Sequence, residues 1–290
     1  MRRCTECRAD FEGPSWRCPR CDHEPAVDAS GRRLFAPHLA QGGGFDADYI
    51  FDDLMAAEPR HFWFRSRRRL ILDALRQHFP QMRRFLDVGC GTGFVLEGVA
   101  RTFPGVEMVG SDVRANALDR AATRVPGAVL LQMDARRMPF TESFDVIGAF
   151  DVIEHIPEDA EVLAEMRRAL RPGGGLLLTV PQHAFLWNEA DDFSHHQRRY
   201  SRGRLRERVH GAGFELLQVT SFCAILMPLL IADRWLRRLR RAPYDPRAEL
   251  RITPLNGMLE RALRVERALI ARRVSFPAGG SLLAVARRRG

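Results

Sequence analysis

Three glycines on alternate positions, Gly89, Gly91 and Gly93, follow the apolar run Phe85–Val88, which contains one acid, Asp87. The run predicts a buried strand, and the apolar stretch after the glycines predicts a helix. Glycines at such a turn permit backbone angles that other residues adopt only at a cost, and they let the backbone approach a ligand closely. The turn is therefore predicted to bind a nucleotide-like ligand.

The spacing within this turn indicates which ligand. A dinucleotide-binding turn reads G-x-G-x-x-G, whereas this turn reads G-x-G-x-G, with Asp87 two residues before the first glycine. A carboxylate so close to the turn repels a pyrophosphate but suits a ligand with an amino group. S-adenosylmethionine, which carries an ammonium and a sulfonium, fits this environment.

The acidic, glycine-rich turn resembles the first motif of the class I S-adenosylmethionine-dependent methyltransferases. An acid that accepts both ribose hydroxyls is expected near Asp112, 19 residues after Gly93, at the tip of the next strand. The resemblance implies that Asp134, after the third strand, accepts a hydrogen bond from the adenine amino group; capping a helix or turn is its alternative role. The cofactor-binding residues predicted in this way are Phe64, Arg65, Asp87, Gly89, Cys90, Gly91, Gly93, Asp112, Val113, Asp134, Ala135, Phe150 and Asp151.

The string His61–Arg65, followed by three arginines at 67–69, resembles a segment that precedes the first strand in a bacterial subgroup of these methyltransferases. In that subgroup the region covers the cofactor, which implies that Arg65 meets the methionine carboxylate. A packing role for the aromatic residues of the string is an equal alternative.

The loop Asp151–Pro157 follows the predicted fourth strand, at the sheet edge where open α/β folds bind ligands. Its Asp-Val-Ile-Glu-His string resembles that of small-molecule O-methyltransferases. Transfer of a methyl group from a sulfonium needs a base only if the nucleophile holds a proton. His155 is the first candidate for that base, and His183, His195 and His196 are further candidates. Glu154 and Asp151 are candidates to orient it, with capping of the following helix as their alternative role. A structural role is the alternative for each histidine.

A second loop, Gln182–Tyr200, is rich in His, Trp and Arg and is expected to lie over the acceptor side of the site. Within it, His196, Arg198, Arg199 and Tyr200 match a His-x-Arg-Arg-Tyr string found in relatives of the same subgroup.

Four cysteines near the start form two C-x2-C pairs, Cys4 with Cys7 and Cys18 with Cys21, separated by ten residues. Two such turns can present four thiolates to one tetrahedral ion, and a short segment without its own core needs such a bridge. The pattern predicts a structural zinc ribbon. Disulfides are the alternative, but no export signal is visible at the N-terminus, so a reducing, cytoplasmic location is expected.

The chain has a formal net charge of +9, and all 45 of its basic residues are arginine. We discount this charge as evidence for a nucleic-acid partner, because solvated arginine faces explain it equally simply.

Strand and helix patterns alternate from Phe85 to Pro181, which is typical of a doubly wound α/β sheet. Together with later strands near 214–219 and 281–286, they predict a seven-stranded Rossmann-like methyltransferase sheet. The predicted divisions are a zinc ribbon over 1–24, a flexible linker over 25–44, helices that cover the cofactor over 45–84, the core over 85–221, a helical insertion over 222–276 and a last strand with the tail over 277–290.

The predicted insertion separates the last two strands by about sixty residues, although these strands usually form a near-direct hairpin. Its apolar run 222–232 is too short to span a bilayer, and a basic amphipathic pattern follows up to residue 241. A helix that covers the acceptor pocket or forms a homodimer contact is the preferred interpretation, and peripheral membrane contact through 222–241 is the alternative.

Three functions remain open on the sequence alone. The leading one is methyl transfer to a small molecule, such as a metabolite, lipid or natural-product intermediate. A methyltransferase that grips RNA with its zinc ribbon is the second, and a non-catalytic scaffold that binds S-adenosylmethionine is the third. The Asn/Asp-Pro-Pro-aromatic string of DNA amino-methyltransferases is absent after the fourth strand.

Overall fold

The computed structural model describes residues 1–40, 49–240 and 244–290. Parts of the predicted linker (41–44), of the cofactor-covering helices (45–48) and of the insertion (241–243) lie outside the described residues. The strands are β1 (Arg2–Arg3), β2 (Asp10–Phe11), β3 (Ala26–Val27), β4 (Arg33–Leu34), β5 (Arg84–Val88), β6 (Glu107–Asp112), β7 (Val129–Gln132), β8 (Phe144–Phe150), β9 (Leu170–Pro181), β10 (Phe214–Phe222) and β11 (Ser281–Arg288).

The helices surround the large sheet. They are α1 (Tyr49–Ala57), α2 (Phe62–His78), α3 (Phe94–Thr102), α4 (Ala115–Arg124), α5 (Asp159–Ala169), α6 (Glu189–Phe193), α7 (Arg202–Gly211), α8 (Met227–Arg240), α9 (Pro246–Glu249) and α10 (Asn256–Ala271). None of the helices within the described ranges is long and apolar enough to cross a membrane.

The large sheet has the order β10-β11-β9-β8-β5-β6-β7-β4-β3. Strands β5 to β9 run parallel, and β11 lies antiparallel between β9 and β10. One face carries α5 and α7, with Val162 and Leu205 in its core, and the other face carries α2, α3 and α10, with Ile71 and Leu263. The doubly wound α/β fold predicted from the sequence is confirmed.

The sheet differs from the seven-stranded prediction by two short strands from the segment predicted as a flexible linker. β4 pairs parallel with β7, and β3 pairs antiparallel with β4. The side chain of Gln132 fixes the end of this segment, because it exchanges two hydrogen bonds with the backbone of Ala36, at 3.0 and 2.7 Å. Its amide also donates to the carbonyl of Val113.

The cysteine-containing segment packs on the start of β8, not in solvent. The backbone N–H of Arg3 donates to the carbonyl of Pro139, and Thr141 donates a 2.6 Å hydrogen bond from its hydroxyl to Asp10. The ring of Trp16 packs edge-on against Phe140, at 5.8 Å between centroids. The segment therefore contacts the edge of the sheet at which β8 begins, opposite the edge at which the glycine turn lies.

Candidate active site

The glycine turn between β5 and α3 lies at the carboxyl edge of the sheet. Gly89, Gly91 and Gly93 all have positive φ, at +67°, +52° and +77°. A Cβ on Gly89 would lie 2.5 Å from a methyl carbon of Val152, so the loop after β8 packs directly on this turn. A Cβ on Gly91 would meet nothing within 4 Å, which leaves open space in front of its backbone.

Two predicted carboxylates face this turn. Asp87 is buried, and burial raises its pKa to about 8; Arg67 opposes the rise and Asp112 adds to it. Its Oδ1 is buried and finds no hydrogen-bond partner among residues 1–40, 49–240 and 244–290. Asp112 accepts hydrogen bonds from the backbone N–H groups of Gly91 and Arg114, at 3.0 and 2.9 Å, and burial raises its pKa as well.

These observations fit S-adenosylmethionine. The orphaned oxygen of Asp87 is a buried acceptor that the ammonium of such a ligand would satisfy, and a nearby cation would favour the charged form of this carboxyl. The open space before Gly91 permits close backbone approach.

Arg67 lies among the carboxylates that surround the turn. Its guanidinium pairs with Asp151 and lies 4.6 Å from the ring centroid of Trp63. Glu58, Asp87 and Glu154 are close enough to act on it electrostatically. Arg67 is thus a cation held among several carboxylates.

Arg65, which the resemblance implied for the methionine carboxylate, pairs with a residue of α10, and its contact with that carboxylate stays a prediction. It is 3.3 Å from Glu260, on the side of α2 that faces α10, whereas Arg67 pairs with Asp151 and acts electrostatically on Asp87. Helical spacing explains the difference, because Leu70 and Ala74 are buried and share a face with Arg67, while Arg65 lies on another face.

A further group that sequence reasoning missed holds the turn in place. Glu58 is buried, accepts hydrogen bonds from the hydroxyl of Thr92 at 2.8 and 2.7 Å, and forms a 2.5 Å ion pair with Arg124. Its three members come from distant parts of the chain, so no local pattern signals it. The group fixes the middle of the glycine turn.

On the predicted adenine side, Asp134 accepts a 2.8 Å hydrogen bond from the backbone N–H of Arg136 and pairs with its guanidinium at 2.9 Å. The same guanidinium reaches Glu158 at 3.0 Å. This geometry is the turn cap that the sequence left as the alternative, and contact with adenine stays a prediction. Ala135 is buried beside it.

The remaining predicted cofactor residues occupy three different environments. Cys90 is buried in the turn, and its N–H donates to Ser111 at 2.8 Å. Phe150 packs its ring in the core beneath the turn, close to Gly148. Phe64 packs edge-on against His61, at 5.6 Å between centroids.

Backbone strain marks the same sheet edge. Asp151, His183 and Cys223 follow β8, β9 and β10, and all three have positive φ, at +60°, +63° and +56°. Non-glycine residues in this region cost free energy, and such strain concentrates at functional sites.

Glu154, His155 and His196 form a cluster beside the turn. One ligand atom from each lies within 4.8 Å of the others. The two imidazole rings meet edge to face, at 4.6 Å between centroids. Burial raises the pKa of Glu154 to about 8, and burial with the neighbouring His196 lowers the pKa of His155 to about 4. His183 lies outside this cluster, with its ring 5.0 Å from that of Phe185.

The His-x-Arg-Arg-Tyr string holds the second loop against the first. Arg199 forms two 2.9 Å hydrogen bonds with Asp191, and Tyr200 donates a 2.7 Å hydrogen bond to Asp159. Arg198 donates to the carbonyls of Ile156 and Pro157. The sequence resemblance therefore corresponds to a set of contacts that positions His196.

The four predicted metal-binding cysteines come together. Sγ of Cys4 lies 3.5 Å from that of Cys21, and Sγ of Cys7 lies 3.6 Å from that of Cys18. A tetrahedral ion with sulfur ligands at about 2.3 Å holds them about 3.8 Å apart, so the cluster fits one such ion. Each knuckle turns at a residue with positive φ directly after its second cysteine, Arg8 and Asp22.

The fold and this site define a class I S-adenosylmethionine-dependent methyltransferase. Residues 57–219 match the family model described as "Methyltransferase domain", and the chain belongs to this family.

The curated relatives cover part of the chain. The chain is 32% identical over 127 residues to a trans-aconitate 2-methyltransferase of Azoarcus. The matched region covers 44% of the chain and 48% of that protein. The chain is also 32% identical over 172 residues to a ubiquinone biosynthesis O-methyltransferase of Alkalilimnicola ehrlichii, which covers 54% of the chain and 64% of that protein. The chain thus spans less than two thirds of either relative.

Solved structures share the fold at lower identity. A phosphoethanolamine N-methyltransferase of Haemonchus contortus in complex with S-adenosyl-L-methionine has a TM-score of 0.57 and 21% identity, and covers 84% of this chain and 58% of that one. The 4+2 cyclase SpnF has a TM-score of 0.52 and 22% identity, and covers 76% of this chain and 80% of that one. At this identity the likeness concerns the fold alone.

Proposed function

We propose that this protein transfers the methyl group of S-adenosylmethionine to a small-molecule acceptor. The observation that carries the proposal is the packing of the Asp151–Pro157 loop on the glycine turn, since Gly89 has no room for a Cβ beside Val152. This contact puts the Glu154 cluster next to the predicted cofactor site, at the sheet edge where ligands bind. The two relatives named above act, by their names, on small molecules.

Bound S-adenosylmethionine supplies a methyl group that is already activated on a sulfonium. Asp87 would hold the ammonium and Asp112 the ribose hydroxyls. The backbone of Gly91 would lie against the ligand. Arg67, freed from Asp151, would meet the carboxylate of the ligand. The protein then needs to align an acceptor with the sulfonium methyl and to remove any acceptor proton.

The candidate for proton removal is the histidine pair. His155 as the general base stays a prediction, and its pKa of about 4 makes it a weak one. Because its Nδ1 bonds to the carbonyl of Ser194 at 2.7 Å, its Nε2 is the nitrogen that would accept a proton.

We propose that the four cysteines hold a structural Zn²⁺. The ribbon contacts the start of β8, and the seven-residue length of that strand puts it about 20 Å from the glycine turn. This distance favours a stabilising role over substrate capture, and so disfavours the RNA alternative.

We also propose that the insertion covers the acceptor side. The ring of Tyr244 lies 5.7 Å from Phe193 in α6, and the carboxylate of Glu266 in α10 accepts the N–H of Ile225 at 2.8 Å. The outer side of α8 exposes Leu229, Ile231 and Trp235. This exposure supports a homodimer contact or peripheral membrane contact, which sedimentation and vesicle flotation distinguish.

Calorimetry with S-adenosylhomocysteine and turnover of labelled S-adenosylmethionine with a panel of hydroxy, amino and carboxylic acids test the leading proposal. We expect binding and transfer that do not respond to salt. Transfer to RNA with a steep salt dependence would replace it with the RNA alternative. Binding without transfer to any acceptor would favour a scaffold, and the cyclase SpnF shows that this fold is compatible with a named function other than methyl transfer.

A further inference from the structure

We propose that Glu154, His155 and His196 bind one divalent first-row transition-metal cation, such as Mn²⁺, Fe²⁺ or Zn²⁺, through one carboxylate oxygen and two imidazole nitrogens. This site is separate from the cysteine cluster. Its role in the reaction rests on the methyl transfer proposed above, and it would replace the general-base role of His155, because the metal would take the same Nε2. Its existence rests on neither.

The first argument is the state of Glu154. Its side chain is completely buried, and no other residue in the described part of the chain donates a hydrogen bond to either carboxylate oxygen. A buried polar group without a partner is costly, and native proteins rarely leave one. The nearby guanidiniums do not supply the missing contact, because Arg67 pairs with Asp151 and Arg199 pairs with Asp191.

The second argument is the orientation of the imidazoles. Nδ1 of His155 lies 2.7 Å from the carbonyl oxygen of Ser194, and Nδ1 of His196 lies 2.7 Å from Oδ1 of Asp191. An oxygen acceptor at Nδ1 fixes the proton there, so Nε2 carries the lone pair that binds a metal. A carboxylate behind a ligating histidine, as Asp191 is behind His196, is the usual support of such ligands.

The third argument is distance. One carboxylate oxygen of Glu154 and one ring nitrogen from each histidine lie within 4.8 Å of one another. An ion bound at about 2.1 Å holds its ligands about 3–4 Å apart, so the cluster needs little or no movement to close on one. Backbone hydrogen bonds keep the two loops in place, since Gln197 N–H donates to the carbonyl of Glu154 at 2.7 Å.

The donor set selects the kind of ion. Two imidazoles favour transition metals over Mg²⁺ and Ca²⁺, which prefer all-oxygen sites. Three protein ligands leave coordination positions for an acceptor oxygen. A hydroxyl bound there loses its proton to water more readily. Its oxygen then forms the bond to the methyl carbon while the carbon–sulfur bond breaks, with the electron pair going to sulfur. The acceptor is therefore expected to be a molecule with an ionisable oxygen.

Binding of Mn²⁺ to the full-length protein tests the site directly. Electron paramagnetic resonance counts free and bound Mn²⁺, and Mn²⁺ competes poorly for the cysteine cluster. We expect one bound Mn²⁺ per chain. Glu154→Gln and His196→Ala should weaken binding at least 100-fold, and Asp191→Asn, a positioning change, about 10–100-fold. His210→Ala, which removes an exposed imidazole at the end of α7, is the matched control.

A metal ion that co-purifies with the protein would already occupy the site, so the same samples are also measured by elemental analysis. Such an ion should appear in the wild type as a second metal equivalent, beside the zinc of the cysteine cluster, and should be missing from His196→Ala. Equal Mn²⁺ affinity of the wild type and Glu154→Gln, or no Mn²⁺ and no second ion in the wild type, would overturn the site. Calorimetry with S-adenosylhomocysteine separates the two proposals. If the protein binds S-adenosylhomocysteine but no metal, only the metal site is refuted. If it binds the metal but not S-adenosylhomocysteine, only the methyltransferase proposal is refuted.

Discussion

The guanidinium of Arg67 forms an ion pair with the carboxylate of Asp151 and lies over the ring of Trp63. The pair joins α2 to the end of β8, across the mouth of the predicted cofactor site. Asp151 is held at a φ of +60°, so a strained residue and a buried cation meet at this point. The arrangement makes Arg67 the group best placed to exchange its partner when a ligand carboxylate arrives.

Arg67→Met should therefore weaken S-adenosylhomocysteine binding about 10–100-fold, the usual effect of losing one charge-assisted hydrogen bond. Binding of 5′-methylthioadenosine, which lacks the amino acid part, should change less than about threefold by the same reasoning. Isothermal calorimetry measures both. Arg69→Met is the control, because Arg69 lies on the same helix and pairs with Glu260 instead. Equal losses for the two ligands would contradict the assignment.

Asp87 should make the stability of the free protein depend on pH. Burial raises its pKa from 3.8 to about 8, so its folded form holds a proton that its unfolded form releases. Its contribution to the free energy of unfolding is complete below about pH 4 and is lost as the pH rises toward 8.

Asp87→Asn should remove this loss and stabilise the free protein by about 5 kcal/mol at pH 8, while weakening binding of S-adenosylmethionine. Urea unfolding between pH 5 and pH 8 measures the first effect. Asp53→Asn, at a partly exposed carboxylate that pairs with Arg247, should change the free energy of unfolding by less than about 1 kcal/mol. A variant as pH-dependent as the wild type would show that another group controls the slope.

The parts of the site that the sequence predicted are local. Asp87 and the three glycines occupy seven consecutive positions, so strand, turn and acid could be seen together. Asp112 follows from the regular alternation of strands and helices, and Asp134 follows from the family resemblance. In these cases one stretch of chain contains both the element and the residue predicted to be functional.

The parts of the site and fold that sequence analysis missed depend on contacts between distant segments. Glu58 meets Thr92 and Arg124 only in the folded protein. No pattern in the sequence singled out Arg67, because its approach to Asp87 depends on which face of α2 packs against the sheet. β3 and β4 have two residues each, and such short strands carry no periodicity. Side-chain bonds from Gln132 to Ala36 fix the end of this segment instead.

Removal of the ribbon ion should lower stability without changing cofactor affinity. Cys18→Ser should abolish the bound zinc and lower the midpoint of thermal unfolding by about 5–10 °C, because the ribbon would no longer be ordered against the start of β8. Binding of S-adenosylhomocysteine should change less than about threefold, since the ribbon lies at the opposite sheet edge. Cys223→Ala, at a buried cysteine outside the ribbon, should keep the zinc of the ribbon. A large loss of affinity with an unchanged midpoint would contradict this separation.

The two glycines at the centre of the turn should respond differently to the same substitution. Gly89→Ala places a Cβ 2.5 Å from Val152 and should cost about 2–4 kcal/mol of stability, from overpacking and from its positive φ. Gly91→Ala has the same backbone strain, at a φ of +52°, but its Cβ meets no atom within 4 Å. Its cost should therefore be about 1–2 kcal/mol.

Ligand binding should show the reverse order of effects. The Cβ of Gly91→Ala would enter the open space predicted for the cofactor, and S-adenosylhomocysteine affinity should fall at least about 100-fold, because a close backbone approach is blocked. Val152→Ala removes the methyl groups that oppose Gly89→Ala, so the double variant should regain most of the lost stability. The same second substitution should not rescue ligand binding by Gly91→Ala. Urea unfolding measures stability and calorimetry measures ligand binding for Gly89→Ala and Gly91→Ala, each with and without Val152→Ala. If Val152→Ala rescued both glycine variants, the cofactor would not lie against Gly91.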